Sequence, residues 1–248
     1  METNAENRTD FRVLSFDIGI RNLGYCDMTV SRPVKTRVSR SKVSPTTLPT
    51  VAETPDAADT PAVPVAPVHA VTINSWDVLT LALETENAKK ISLNTIANRL
   101  FIEMEKLIRD SSGAWDAILI ENQPSSLNGH MKSIQMMLYS FFQLHKHKLQ
   151  PTLEVLLISA NGKLQTHEEA EKTLPPCSLE KGYRLNKWKS VHITNYYVKD
   201  DNALKELVTS HRKKDDLCDA FLQAMSWYNK KNKCNIDSVK SCPMQLDA

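Results

Sequence analysis

Residues 13–22 read Val13-Leu14-Ser15-Phe16-Asp17-Ile18-Gly19-Ile20-Arg21-Asn22, and the acid in that run decides how the rest of the chain is read. Four residues of strand character lead into Asp17. A carboxylate buried without a partner in an apolar strand is costly or takes up a proton. Asp17 therefore requires a divalent cation, a basic partner or a place at the sheet's open edge. Gly19 permits a tight turn, after which Leu23-Gly24-Tyr25-Cys26 reads as a second strand returning beside the first. Alone, Asp17 would be a strand-end acid capping a turn. Acids in matching settings lie downstream, so it is not alone.

The run Asp116-Ala117-Ile118-Leu119-Ile120-Glu121, followed by Asn122-Gln123-Pro124, predicts a buried parallel-type strand. Its last acid projects at the C-terminal end, where α/β sheets place their sites. Further on, His211-Arg212-Lys213-Lys214-Asp215-Asp216-Leu217-Cys218-Asp219-Ala220 opens a helix. Leu217, Ala220, Phe221, Ala224 and Tyr228 mark its buried side, and Asp216 and Asp219 share a neighbouring face near its N-terminus. The helix dipole alone favours acids there. An acid pair beside a buried stripe, directly after Arg-Lys-Lys, suits metal coordination better.

Around these acids the chain supplies a scaffold. Val71-Thr72-Ile73-Asn74-Ser75-Trp76 alternates as a third strand, and Leu153–Ser159 is a fifth apolar run. Helical spacing over 92–108 places Leu93, Ile96, Ala97, Leu100, Met104, Leu107 and Ile108 on one side. From Asn128 a second long helix aligns Met131, Ile134, Leu138, Phe141, Phe142 and His145, widened by Met136 and Met137. That stripe is read as core, with dimer contact as the other use. His145 and His147 suit the helix C-terminus electrostatically, but two residues apart they do not share a face, which argues against a metal site from them. A polar loop through Pro175-Pro176 follows the fifth run. From Lys181 to Lys214 cations outnumber acids, with Tyr183, Trp188, Tyr196 and Tyr197 interleaved. This stretch is either a solvated face or a phosphate-contacting surface.

Ser31 to about Pro67 is rich in Pro, Thr, Ala, Val and Ser and has no amphipathic period, so a disordered insertion is expected. Its Arg32, Lys35, Arg37, Arg40 and Lys42 belong either to a solvated tether or to a loose DNA contact. The tail beyond Asn229 is polar and expected to fray. A net charge of +2 over 248 residues says little about partners, so the placement of charge must do so. Five cysteines without C-x-x-C spacing argue against a zinc site or disulfide scaffold and for a reducing compartment. No apolar run reaches the roughly 20 residues of a membrane helix, and the acidic, polar N-terminus is unlike a signal or transit peptide. A soluble, intracellular protein is expected.

The order strand-Asp, hairpin, strand-Glu, helix, then Asp-x-x-Asp-Ala opening a last helix resembles the RuvC-like branch of the RNase H fold. In finer wording, Asp17-Ile-Gly-Ile-Arg-Asn-Leu-Gly24, Ile120-Glu-Asn-Gln-Pro124 and Lys213-Lys-Asp-Asp-Leu-Cys-Asp-Ala-Phe-Leu-Gln-Ala224 resemble the Holliday junction resolvases of poxviruses and related large DNA viruses. Fungal mitochondrial resolvases are more distant relatives. The resemblance covers about residues 11–30 and 70–229. It implies an α/β, RNase H-like (RuvC-type) mixed five-stranded sheet flanked by helices. One nuclease domain would span 1–248, with the insertion at 31–68 and the frayed tail at 230–248. Asp17, Glu121, Asp216 and Asp219 would be catalytic and hold Mg²⁺, two ions per site, with Mn²⁺ as substitute; carboxylates suit such a hard cation. Lys187, Lys189, Arg212, Lys213, Lys214 and Gln123 would contact DNA, with Lys213 or Lys214 neutralising the scissile phosphate. The implied partners are branched DNA and a second copy of the chain, with no membrane and no small-molecule cofactor. The implied location is the site of viral or organismal DNA replication, in host cytoplasm or nucleus if viral. The rival readings are an RNase H-fold nuclease with another substrate and a non-catalytic DNA-binding scaffold.

Overall fold

Strand β1 (Asp10–Asp17) is apolar on both sides because both sides are covered. Leu14 and Phe16 face one helical layer and Val13 the other, and all three are fully buried. The computed structural model describes residues 10–31, 69–88, 90–111, 113–124, 129–232 and 236–242. The expected insertion lies outside the described residues, apart from Ser31.

β1 pairs antiparallel with β2 (Asn22–Ser31), and β2 pairs antiparallel with β3 (His69–Thr80). On its other edge β1 runs parallel to β4 (Ala117–Asn122), which runs parallel to β5 (Glu154–Ser159). The order is β5-β4-β1-β2-β3-β6, with β2 reversed against its neighbours. This is the expected mixed α/β sheet flanked by helices, with one correction. Among the described residues the sheet has six strands, not five, because β6 (Ile236–Ser241) adds parallel to β3. The tail is therefore not frayed over its whole length. Ile236 and Val239 are buried, and Asp201 accepts from the Ser241 amide at 2.7 Å and its hydroxyl at 2.8 Å. A short edge strand needs only a few such contacts, so a polar composition concealed it.

Helices α1 (Leu93–Asp110) and α2 (Gly129–Leu149) cover one face, burying Ile96, Leu100, Met104, Ile134, Leu138 and Phe142 against Leu14 and Phe16. Ser92 caps α1, its hydroxyl accepting from the Thr95 amide. The opposite face carries α4 (Tyr183–Val198), α5 (Asn202–Ser210) and α6 (Lys214–Asn232), after the short α3 (Glu168–Lys172). Thus much of the basic stretch is helical. α6 is the central helix of this layer, its Leu217, Phe221 and Tyr228 fully buried.

Two glycines set the entrance to the site. A Cβ on Gly19 would lie 2.3 Å from the Asn22 carbonyl oxygen, so the β1–β2 turn closes only without one. A Cβ on Gly24 would lie 2.3 Å from the Asp216 carbonyl oxygen. Gly24 is the register partner of Asp17, so its bare backbone lets the start of α6 settle next to the strand that carries Asp17.

Candidate active site

Asp17 ends β1 and Glu121 lies at the end of β4, the parallel neighbour, so both emerge on the same edge of the sheet. β5 ends on that edge too, and a 3₁₀ turn (Ala160–Gly162) leads directly to Lys163. Asp219 reaches in from the second turn of α6. The four meet at one point. The Lys163 Nζ lies 2.9 Å from Asp17 Oδ1, 2.6 Å from Asp219 Oδ2 and 3.7 Å from Glu121 Oε1.

Glu121, Asp219 and Asp216 are held by groups of their own. Glu121 Oε2 accepts from the Ile18 amide at 3.2 Å and from Gln123 Nε2 at 2.7 Å. Asp219 Oδ1 accepts from the Ser190 hydroxyl at 2.5 Å. Asp216 is brought to the same end of the sheet but not into the cluster; its Oδ2 accepts from Asn22 Nδ2 at 3.3 Å. Burial pushes the Asp17 pKa up, helped by the charges of Glu121 and Asp219 and opposed by Lys163. Burial pulls the Lys163 pKa down, but Asp17, Asp219 and Glu121 outweigh it and the ammonium keeps its proton. Burial and neighbouring Asp215 raise the Asp216 pKa. Burial acts in the same direction on Asp215, yet the Lys187 ammonium lowers it overall.

Sequence reasoning passed over Lys163. Lys163 follows β5 only after the 3₁₀ turn, in a polar loop where a lysine is ordinary, so no local signal marked it. It is Lys163 that touches the acids. Gln123, expected to orient DNA, is buried and spends its amide on Glu121. Its backbone amide is fixed by Gln135 Oε1 at 2.7 Å.

The remaining cations fall into two grooves. Lys187 and Lys189 line a cleft of about 450 Å³ that also exposes Glu121, Lys163 and Asp219. Lys187 pairs with Asp215 and sits 4.6 Å from the centre of the Tyr183 ring, while Lys189 lies 3.7 Å from Glu171. Arg212 and Lys213 line a second groove, of about 580 Å³, with Arg21, Asn22 and His211. Arg212 pairs there with Glu84. Lys214 is the first residue of α6 and half-buried.

No family model matches the sequence. An uncharacterised protein of Acanthamoeba polyphaga mimivirus, L451, is 29% identical over 115 residues, covering 44% of this chain and 28% of that protein. The chain thus spans little more than a quarter of that relative's length. Holliday junction resolvases are among the solved structures to which it is similar. They include yeast mitochondrial Ydc2, with a TM-score of 0.49 and 16% identity over 90% of this chain and 84% of that one. The fowlpox virus resolvase in complex with Holliday junction DNA has a TM-score of 0.47 and 14% identity, over 89% and 99%. Thermus thermophilus RuvC has a TM-score of 0.44 and 10% identity, over 90% and 97%.

Proposed function

We propose that this chain is a metal-dependent DNA endonuclease that resolves four-way junctions by phosphodiester hydrolysis. The observation that carries the nuclease reading is the convergence of Asp17, Glu121 and Asp219, from three separate elements, on one cationic centre. Among the described residues no three acids or other ligating side chains stand close enough together to form a ready metal cage. The donor set nevertheless fits a divalent cation. It consists of carboxylate oxygens, and they already surround a positive charge, the Lys163 ammonium. Asp17, Glu121 and Asp219, with Asp216 at the same end of the sheet, would hold Mg²⁺, two ions per site. Bound metal would supply an activated water and stabilise the departing 3′ oxygen of an in-line displacement.

The chain's own groups do the rest. Gln123 and the Ile18 amide orient Glu121, and Ser190 orients Asp219, so neither carboxylate rotates freely. Lys163 offsets the excess negative charge and stands where a scissile phosphate would approach the acids. Lys187 and Lys189 line the way in, where they would hold the phosphate backbone without reading sequence.

The junction as substrate is supported by the three motifs that resemble poxvirus resolvases. The homodimer belongs to the same reading, since two symmetric nicks need two sites related by a two-fold axis. The face that supports a dimer is the outer side of α1 and α2. Ile102 and Leu144 are 66% and 77% exposed there, beside an apolar groove lined by Phe101, Met136, Met137 and Phe141.

The test is incubation with labelled four-way and linear DNA in Mg²⁺ and then in EDTA. Paired nicks in the junction, lost in EDTA and in Asp17→Asn, are expected. Cleavage of linear DNA at the same rate would leave the nuclease but remove the junction. Tight junction binding with no nicking in Mg²⁺ or Mn²⁺ would make the protein a scaffold.

A further inference from the structure

Lys163 sits in a loop, and a loop residue stays among three carboxylates only if its backbone is held. Two carbonyls of that loop turn toward α6, where Ser226 Oγ lies 2.9 Å from Lys163 O and 2.7 Å from Gln165 O. His167, only 2% exposed, completes the network. Its Nε2 is 2.8 Å from Ser226 Oγ and 3.1 Å from Lys163 O, and its Nδ1 is 3.0 Å from the Tyr197 hydroxyl of α4. One set of protons satisfies every contact. Tyr197 O–H donates to Nδ1, Nε2–H donates to Lys163 O and Ser226 Oγ, and Ser226 O–H is shared between Gln165 O and Lys163 O. Burial holds the imidazole neutral, its pKa lowered to about 4.

A second observation points the same way. Thr166 adopts φ 68°, a left-handed conformation that a β-branched residue takes only when its surroundings impose it. Asn229 Nδ2, also on α6, lies 3.4 Å from its carbonyl oxygen. The loop is thus pinned to α6 at Lys163, Gln165 and Thr166, and α6 is the helix that carries Asp219.

We infer that His167, through Ser226 and Tyr197, is a positioning residue. It fixes the Lys163 backbone so that the ammonium stands among Asp17, Glu121 and Asp219. The inference rests on the nuclease reading for its consequence in catalysis, but the positioning itself is independent of that reading. A merely structural role would satisfy the same buried polar atoms, so the test must separate the two.

The variants are His167→Leu, His167→Gln (whose amide N–H can stand for Nε2–H), Lys163→Met, and Lys163→Met with His167→Leu. Two quantities are measured. One is the single-turnover nicking rate on a labelled four-way junction in Mg²⁺, beside junction affinity in EDTA. The other is the ¹⁵N signal of the Lys163 ammonium in metal-free protein, assigned by its loss in Lys163→Met. His167→Leu should slow nicking about 10- to 100-fold at unchanged junction affinity. It should also move the Lys163 signal to the position of exposed lysines. His167→Gln should recover most of both, and His167→Leu should add nothing to Lys163→Met. Equal slowing in the Lys163→Met background, or failure of a folded His167→Gln to recover, would overturn the inference. If the wild type does not nick at all, the nuclease reading fails. The ammonium signal then decides alone: a shift in His167→Leu that returns in His167→Gln upholds the positioning, and no shift overturns it. Should His167→Leu fail to fold, Ser226→Ala, which removes one hydroxyl, is held to the same outcomes with a smaller fall.

Discussion

Strand β1 carries a buried charge near each of its ends, and the two are compensated in opposite ways. Near its start, Arg12 pairs with Asp27 of β2 through two hydrogen bonds, Nε to Oδ1 at 2.9 Å and Nη2 to Oδ2 at 2.6 Å. Asp27 also accepts from Trp115 Nε1 and Asn74 Nδ2, each at 3.0 Å, while Arg12 donates to the Gly113 carbonyl. One cation meets one anion, with neutral donors and an acceptor to spare. At the other end, among the described residues, Asp17, Glu121 and Asp219 share one cation, Lys163. Both sites are buried in the same sheet, yet only the second is left electrically incomplete. A balanced pair locks strands together; an excess of negative charge that persists in a folded protein is what the proposed metal binding would relieve.

The largest effect expected is on chemistry. Asp17→Asn, Glu121→Gln or Asp219→Asn should lower junction nicking at least about 1,000-fold, equivalent to about 4 kcal/mol of transition-state stabilisation, with junction affinity largely kept. Near-wild-type nicking by Asp17→Asn would remove the functional half of the comparison.

At the structural end the loss should appear in stability instead. Asp27→Asn leaves Arg12 buried without its anion, and breaking such a pair costs roughly 3–5 kcal/mol. Urea denaturation should report this, while nicking at a temperature where the variant stays folded is preserved.

The next effect comes from acid. His167 titrates near 4 in the fold against 6.5 in the free side chain, owing to burial and then Lys230, offset in part by the Lys163 carbonyl. Between those values the unfolded chain binds more protons, so stability should fall as pH drops from about 6.5 towards about 4, by roughly 3 kcal/mol from this group. His167→Gln should flatten that part of the pH–stability curve. An unchanged slope would show that His167 is not the group responsible.

The smallest effect has the opposite sign. In metal-free protein Asp17→Asn relieves a buried carboxylate that two other acids repel, so thermal stability should rise by about 1 kcal/mol. The same substitution would then stabilise one end of the sheet and destabilise the other. If Asp17→Asn destabilises as Asp27→Asn does, the two ends are compensated alike and the contrast fails.

How much of this was legible beforehand follows from the range of each interaction. An acid at the end of an apolar strand is a local anomaly, so Asp17 and Glu121 stand out without any partner in view. Asp219 stands out because helical periodicity sets it beside a buried stripe. Lys163 carries no such anomaly, since a lysine in a polar loop is ordinary until Asp17, 146 positions away, is seen next to it. His167 and Ser226 were invisible for the same reason. So was the Arg12–Asp27 pair, whose two members come from adjacent strands. β6 escaped because an edge strand is defined by the edge it joins. Helices α4 and α5 escaped inside a stretch read for its charge.

By itself, then, the sequence determined the apolar strands, the main helical stripes, the acids that end or flank them and the glycines that let the chain turn. These depend on periodicity and on the cost of burying charge, both of which act within a few residues. Only the tertiary structure decided which acids meet, which cation they share and which remain apart. Asp216 and Asp219 lie three positions apart on one helix, yet Asp219 joins the cluster and Asp216 faces Asn22. That choice is set by how α6 lies on the bare backbone of Gly24 and by where the loop after β5 delivers Lys163, and electrostatic contacts over a few ångströms exist only once both have been placed.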